Sequence, residues 1–459
     1  MEQGFIKVAA VTPKIRVADP AYNAGVICER LEEACKNGAK IIVFPELCIT
    51  GYTCGDLFLQ EILLREASAQ LLCIAERTRG KDALVMVGLP LEREGRLYNV
   101  AAVLRDGEIL GMVPKANIPS YAEFYEGRHF AEGNAEPVPF SFMGRTVPFG
   151  TNILFTCETL HGLTVGCEIC EDLWVADAPA VNHALKGATV IANLSASNET
   201  IGKDEYRELL VKSVSARLLC GYVYASAGEG ESTQDLVFGG HNLIAENGTI
   251  LAQVKKFTCE TLYGDIDVWK LLADRRRMGT FGKEPEAAYV KVPFRLEVAE
   301  TDLQRSFPAL PFVPGDAEKR RRRCEEILSI QSYGLKKRYE HTGAKTAVLG
   351  ISGGLDSTLA LLVTVRTFDM LGLDRGAIVA VTMPCFGTTD RTYENACLLA
   401  RTLGATLEEV DIKEAVTVHF GDIGQDMANH DVTYENGQAR ERTQVLMDIA
   451  NRVGGLVIG

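Results

Sequence analysis

No apolar run in the 459-residue sequence reaches the roughly 18–20 residues that span a bilayer. The amino-terminal stretch MEQGFIKVAAVTPKIRVADP has neither an uninterrupted apolar core nor a small-residue cleavage site, and it reads as a first β-strand. An excess of positive charge is missing as well. The formal net charge of −13 excludes a general nucleic-acid or membrane-surface binder, because polyanions would be repelled. The one dense basic run, KRRRR at 319–323, stands among Asp316, Glu318, Glu325 and Glu326 and reads as a solvated helix start. Thirteen cysteines, odd in number and scattered, do not form a disulfide framework, so a reducing, cytoplasmic setting is expected. What is present is an ordinary globular composition, 47% hydrophobic and 24% charged, on a length sufficient for two or three domains.

Short β-branched runs alternate with amphipathic stretches through the first half. FIKVAAVTP and AKIIVFPE read as strands around a helix at about 21–37, and a long helix at 57–78 is expected to be capped by Asp56. Asp106-Gly107 and Asn247-Gly248 each predict a tight hairpin turn. This alternation predicts an α/β fold with a mixed sheet over residues 1–285. Residues 286–316 have no helical period and many prolines, and they read as an extended linker. From 317 to 459 strands and helices alternate again, and the closing LVIG reads as a strand entering a sheet, so the second domain is expected to be interrupted at its end.

Three residues stand at strand ends in the first region: Glu46 after IIVFP, Lys115 after ILGMVP and Cys170 after LTVGCEI. A carboxylate there can act as general base, an ammonium can stabilise an oxyanion, and a thiol becomes a nucleophile when a neighbour takes its proton. The backbone N–H of Glu171 could supply a second oxyanion donor. Cys167 and Cys170 also admit a zinc or a redox reading. Zinc would need a second ligand pair, which Cys157 and His161 do not supply. Cys167 and Cys170, at odd separation on one strand, are expected to point to opposite faces, Cys167 as packing.

FPELCITGY, PKANIPSYAEFYEGRHF and GCEICEDLWV resemble the three signature segments of the nitrilase superfamily. That resemblance implies an αββα sandwich with Glu46 as base, Lys115 as oxyanion stabiliser, Cys170 as nucleophile and Glu126 supporting the lysine.

LGISGGLDST at 349–358 follows an apolar strand and precedes an apolar helix, the setting of an anion-binding loop at a helix amino terminus. No Lys-Ser/Thr pair follows the glycines, so it is not a Walker A loop. Asp356 inside an anion site makes sense with Mg²⁺ beside the phosphates. The string resembles the pyrophosphate loop of the ATP pyrophosphatases, which implies a doubly wound, Rossmann-like domain, here incomplete. ATP would then be held by Gly350, Ile351, Ser352, Gly353, Gly354, Leu355, Asp356 and Ser357.

ENGQARERTQVLMDIANRVGGLVIG at 435–459 resembles the NAD synthetases, and GEGESTQDLVFGGHNLIAENG at 228–248 resembles the glutaminase half of their glutamine-dependent branch. The family resemblance implies glutamine contacts from Tyr121, Glu171, Ser197 and Lys203, and a deamido-NAD contact from Arg440. It also implies enclosed passage of ammonia, Mg²⁺ bound by Asp356 with a glutamate beyond Gly459, and a homo-oligomer. Zinc, haem and flavin are not expected. Because the sequence stops at Gly459, incomplete synthetase activity is expected of it. The alternative is a stand-alone carbon–nitrogen hydrolase with a nucleotide-binding regulatory domain.

Overall fold

The computed structural model describes residues 2–233, 235–386 and 390–459. It divides into two compact units, Met1–Ser306 and Phe307–Gly459. Strands of the first unit are β1 (Phe5–Val11), β2 (Ile41–Val43), β3 (Leu84–Arg93), β4 (Arg96–Arg105), β5 (Glu108–Pro114), β6 (Val138–Phe142), β7 (Arg145–Phe149) and β8 (Ile153–Cys157). They continue as β9 (Thr164–Ile169), β10 (Val190–Ser195), β11 (Gly221–Ser226), β12 (Leu243–Glu246), β13 (Thr249–Gln253), β14 (Thr261–Asp267) and β15 (Val290–Phe294). Its helices are α1 (Pro20–Lys36), α2 (Glu61–Arg77), α3 (Pro179–Leu185), α4 (Lys203–Arg217) and α5 (Val268–Arg277).

Two mixed sheets form, one ordered β14-β1-β2-β3-β4-β5-β7-β6 and the other β13-β12-β11-β10-β9-β8-β15. Strand alternation decides the layers. Ile6, Val8 and Ala10 of β1 meet Val165 and Cys167 of β9 and Val223 of β11 in one dry cluster between the sheets. Ala9 and Val11 turn the other way, onto Ile27 and Leu31 of α1 and Leu71 of α2. Ile191 and Tyr222 likewise turn outward onto Ala184 of α3 and Val211 of α4. The result is a four-layer α-β-β-α sandwich, and strands covered on both faces are mostly apolar, with buried exceptions such as Asn99 of β4 and Glu168 of β9. Both expected hairpins form. Asp106-Gly107 joins β4 to β5 with φ of 50° and 83°, and Asn247-Gly248 joins β12 to β13 with φ of 42° and 80°, the left-handed pair that such turns require.

Two expectations are corrected. Residues 290–294 are not linker but strand β15, parallel to β8 at the sheet edge, where Pro293 needs no ladder partner on its open side. Only Phe294 of that strand is buried, so its apolar period is too faint to read. Asp56 does not cap a helix. α2 begins five residues later, and the Asp56 carboxylate instead accepts from Arg128 Nε and Nη2 at 2.8 and 2.9 Å.

The second unit contains α6 (Ala317–Thr342), β16 (Ala347–Gly350), α7 (Leu355–Leu371), β17 (Ile378–Thr382), α8 (Asp390–Leu403), β18 (Thr406–Glu409), α9 (Lys413–Ile423), α10 (Val432–Val453) and β19 (Leu456–Val457). Its sheet is wholly parallel in the order β18-β17-β16-β19. Tyr339, Leu361, Phe368 and Ala400 cover one face with α6, α7 and α8, while Val416, Phe420 and Ile449 cover the other with α9 and α10. Strand order reverses at β16, and the crevice beyond its carboxyl end is the usual ligand position of a doubly wound sheet. Among the described residues, no helix is long and apolar enough to cross a membrane.

Candidate active site

Glu46 follows β2 in a loop that crosses β3 so closely that a Cβ on Gly88 would lie 2.3 Å from Leu47 N. Only glycine lets the strand accept that crossing. Lys115 follows β5, and Glu126 opens a short 3-10 turn. Their side chains converge between the sheets, where Glu46, Lys115 and Glu126 are 1, 0 and 5% exposed. Lys115 Nζ donates to Glu46 Oε1 at 2.7 Å and to Glu126 Oε1 at 2.6 Å, and among the described residues its third N–H has no further acceptor. Asn99 Nδ2 donates to Glu46 Oε1 at 2.6 Å, and Tyr52 Oη donates to Glu126 Oε1 at 2.9 Å. Ala196 N donates to Glu46 Oε2 at 2.7 Å. Both lone pairs of Glu46 Oε1 are thus used, and the spare one is on Oε2.

Burial would drive the Lys115 ammonium to deprotonate, but Glu126 and Glu46 more than offset it and hold its pKa well above the ordinary lysine value. Burial also raises the Glu126 carboxyl, against the pull of Lys115. Such a buried set is stable only while each charge keeps its partner.

Cys170 does not continue β9. It begins the turn Cys170–Leu173 with φ of +43°, a left-handed conformation that strains a non-glycine residue. The expected alternation with Cys167 therefore fails: both pack into the cluster between the sheets. The two still differ in surroundings. Cys167 is pushed up to about 12 by burial, with only Glu168 adding to the effect. Cys170 is raised by burial and by Glu46, while Lys115 pulls it down. Its resting form is a thiol that feels both the Glu46 carboxylate and the Lys115 ammonium.

Asp172 fixes this turn. Its carboxylate accepts from Ile169 N at 2.9 Å, Asn117 N at 2.9 Å and Asn117 Nδ2 at 2.8 Å, tying the Cys170 turn to the segment just after Lys115. The sequence flags neither Asp172 nor Asn99 by itself; Asp172 has only its place two residues after Cys170 as a signal, and Asn99, in the middle of β4, has none.

Of the predicted glutamine contacts, Tyr121 Oη donates to Glu171 Oε1 and Oε2 at 2.9 and 3.1 Å. Ser197 Oγ accepts from Arg207 Nη2 at 3.3 Å. Arg207, itself fully buried, pairs with Glu199 at 2.9 Å and was also missed. Lys203 Nζ donates to Asn198 Oδ1. A cavity of about 130 Å³ lined by Tyr52, Phe58, Glu123 and Phe130 opens beside Glu126.

In the second unit the 350–357 segment runs from the end of β16 into α7. Gly353, at φ of +79°, passes so near α8 that a Cβ there would meet the Thr392 carbonyl at 2.2 Å. Gly354 caps α7 without a side-chain bond, and Ser352 and Ser357 hydroxyls lie 3.3 Å apart. A cavity of about 470 Å³ is lined by Gly350, Ser352, Thr382, Tyr393, Gln438 and Arg442. Gln438 and Arg442 share a face of α10, whereas the expected Arg440 is exposed and does not line this cavity. Asp356 is exposed in the first turn of α7; among the described residues, no group of three or more His, Cys, Asp or Glu could hold a metal.

Comparison with known proteins matches the carbon–nitrogen hydrolase family over residues 7–275 and the NAD synthase family over residues 327–459. A glutamine-dependent NAD(+) synthetase of Mycobacterium leprae is 40% identical over 471 aligned residues, covering 100% of this chain and 69% of the relative. One from Aquifex aeolicus is 32% identical, covering 96% of this chain and 72% of the relative. The crystal structure of a glutamine-dependent NAD(+) synthetase from Cytophaga hutchinsonii shares the fold, with a TM-score of 0.52 at 23% identity, over 99% of this chain and 74% of that one. A nitrilase-type sandwich carrying the buried Glu46–Lys115–Glu126 cluster is thus followed in one chain by a doubly wound unit with a glycine loop at its switch point, and the chain belongs to the glutamine-dependent NAD(+) synthetase family.

Proposed function

We propose that the chain hydrolyses glutamine at Cys170 and uses the ammonia to amidate adenylated deamido-NAD. The observation that carries the reading is the buried Glu46–Lys115–Glu126 cluster beside Cys170, in the same chain as the loop at the end of β16. In the first half-reaction the free lone pair of Glu46 Oε2 takes the thiol proton, and the sulfur attacks the side-chain amide carbon. The third N–H of Lys115 and the backbone N–H of Glu171 stabilise the oxyanion. The proton held by Glu46 goes to the leaving nitrogen, and ammonia departs from the glutamyl thioester. Water activated by Glu46 then hydrolyses the thioester, releasing glutamate and restoring the thiol.

In the second unit the deamido-NAD carboxylate attacks the α-phosphorus of ATP, and pyrophosphate leaves into the loop of Ser352, Gly353, Gly354 and Ser357. Ammonia attacks the adenylate, giving the amide and AMP. Asp356, exposed in the first turn of α7, would offer one carboxylate to Mg²⁺, and the ion would supply charge neutralisation for the phosphates. Gln438 and Arg442 face the same cavity and are candidates to contact the nucleotide. Membership of the family extends the reading to homo-oligomeric assembly, enclosed transfer of ammonia and a cytoplasmic setting.

The test is ammonia release from glutamine by the wild type and Cys170→Ala. A loss of about 10³-fold or more is expected, with ATP binding retained. Undiminished release in the variant would remove Cys170 as nucleophile.

A further inference from the structure

Lys203 begins α4, and among the described residues no carboxylate lies within ion-pair distance of its ammonium. Its Nζ donates to Asn198 Oδ1 and lies over two aromatic rings, 5.3 Å from the Phe124 centroid and 5.2 Å from the Trp174 centroid. Each support is itself held. Asn198 Nδ2 donates to Glu123 Oε1 at 2.6 Å, and Asn198 O accepts from Arg207 Nη2 at 3.2 Å. Trp174 packs against Tyr206, one turn along α4, with centroids 5.6 Å apart. An ammonium has three N–H donors, so two remain beyond the one given to Asn198. Lys203 is close enough to Cys170 and Glu171 to act on both electrostatically. Glu171, bonded to Tyr121, presents the opposite charge.

A lysine side chain is a flexible point charge with no planar fork, and fixing it costs rotamer entropy. Ring faces attract a cation and restrict where it rests. We propose that Trp174 and Phe124 are positioning residues that aim the Lys203 ammonium at the α-carboxylate of the substrate. They thereby restrict the site to free amino-acid amides bearing both α-charges, in preference to peptide-linked glutamine or simple aliphatic amides. The inference rests on the glutaminase reading above and adds to it two residues that act through Lys203.

Steady-state ammonia release is measured with glutamine and with 4-aminobutanamide, which is glutamine without its α-carboxylate. Trp174→Ala should raise KM for glutamine about tenfold, the scale of one desolvated cation–π contact, with a smaller change in kcat. Trp174→Phe should restore most of the loss. Kinetics with 4-aminobutanamide should not respond, and in a Lys203→Met background Trp174→Ala should add nothing. Should Trp174→Ala fail to fold, Phe124→Ala is read in the same way. Equal losses on both substrates, or additive losses with Lys203→Met, would show plain packing and overturn the proposal. A wild type that releases no ammonia from glutamine would instead remove the glutaminase reading, and this inference with it.

Discussion

Around Lys115 every charged group is sealed between two sheets and bonded to another, with distances of 2.6–2.9 Å to Glu126, Glu46 and their partners. In the Gly353 loop the bonded polar groups are the Ser352 and Ser357 hydroxyls and backbone, exposed and joined by contacts of 3.1–3.3 Å, while the Asp356 carboxylate stands open to solvent. The first region carries its own counter-charges and is organised before any substrate arrives. In the second, the phosphates of a nucleotide would supply the charge that the open N–H groups at the α7 amino terminus are arranged to meet. Substitutions should therefore behave differently in the two places. In the sandwich they damage folding and chemistry together, and in the loop they damage ligand binding with little loss of fold.

The largest effect is expected for Lys115→Met, which leaves Glu46 and Glu126 buried without their cation. Stability should fall by about 3–5 kcal/mol and glutamine hydrolysis should be lost. Chemical unfolding read alongside ammonia release checks both. An active variant of normal stability would break the contrast with the loop.

Gly353→Ala comes next, because its Cβ has no room against the Thr392 carbonyl and its φ is left-handed. ATP affinity should fall by roughly tenfold or more, since a misplaced loop loses several backbone contacts to phosphate. Ammonia release in the absence of ATP should persist. Calorimetric titration with ATP measures the first, and a matching loss of glutaminase would show that the loop is not a local site.

The smallest effect is a pH dependence confined to the sandwich. Glu168, two residues before Cys170, accepts from Tyr222 Oη, and burial raises its carboxyl from 4.5 to about 7. The folded state thus keeps a proton that the unfolded chain has lost between those values. Stability consequently falls as pH rises through that window and levels off above it. Glu168→Gln should flatten this slope, measured by urea unfolding at a series of pH values. An unchanged slope would assign the pH dependence to other carboxyls.

Much of this was legible in the sequence because it depends on local order. The turns at Asp106-Gly107 and Asn247-Gly248 need left-handed backbone that few residues other than Asn, Asp and Gly tolerate. The α6 helix keeps its limits because Asp316 caps it and Gly343 ends it. Glu46, Lys115 and Cys170 were found because each follows an apolar strand, and a strand's end in an α/β sheet opens onto a crevice. β15 and the role of Asp56 were misread because the first has almost no apolar period and the second is set by the distant Arg128.

Strand pattern, turn chemistry and the two motif strings determined the fold class and the chemistry, since those signals lie within a few residues of one another. Tertiary structure alone decided that Cys170 leaves its strand, that Asp172 clamps the turn to the segment after Lys115, and that Arg442 rather than Arg440 faces the loop cavity. It also decided that Lys203 meets Phe124 and Trp174. These contacts join residues up to 79 positions apart, here Phe124 and Lys203. No window along the chain encodes such a separation, and only the packing of two sheets brings it to contact distance.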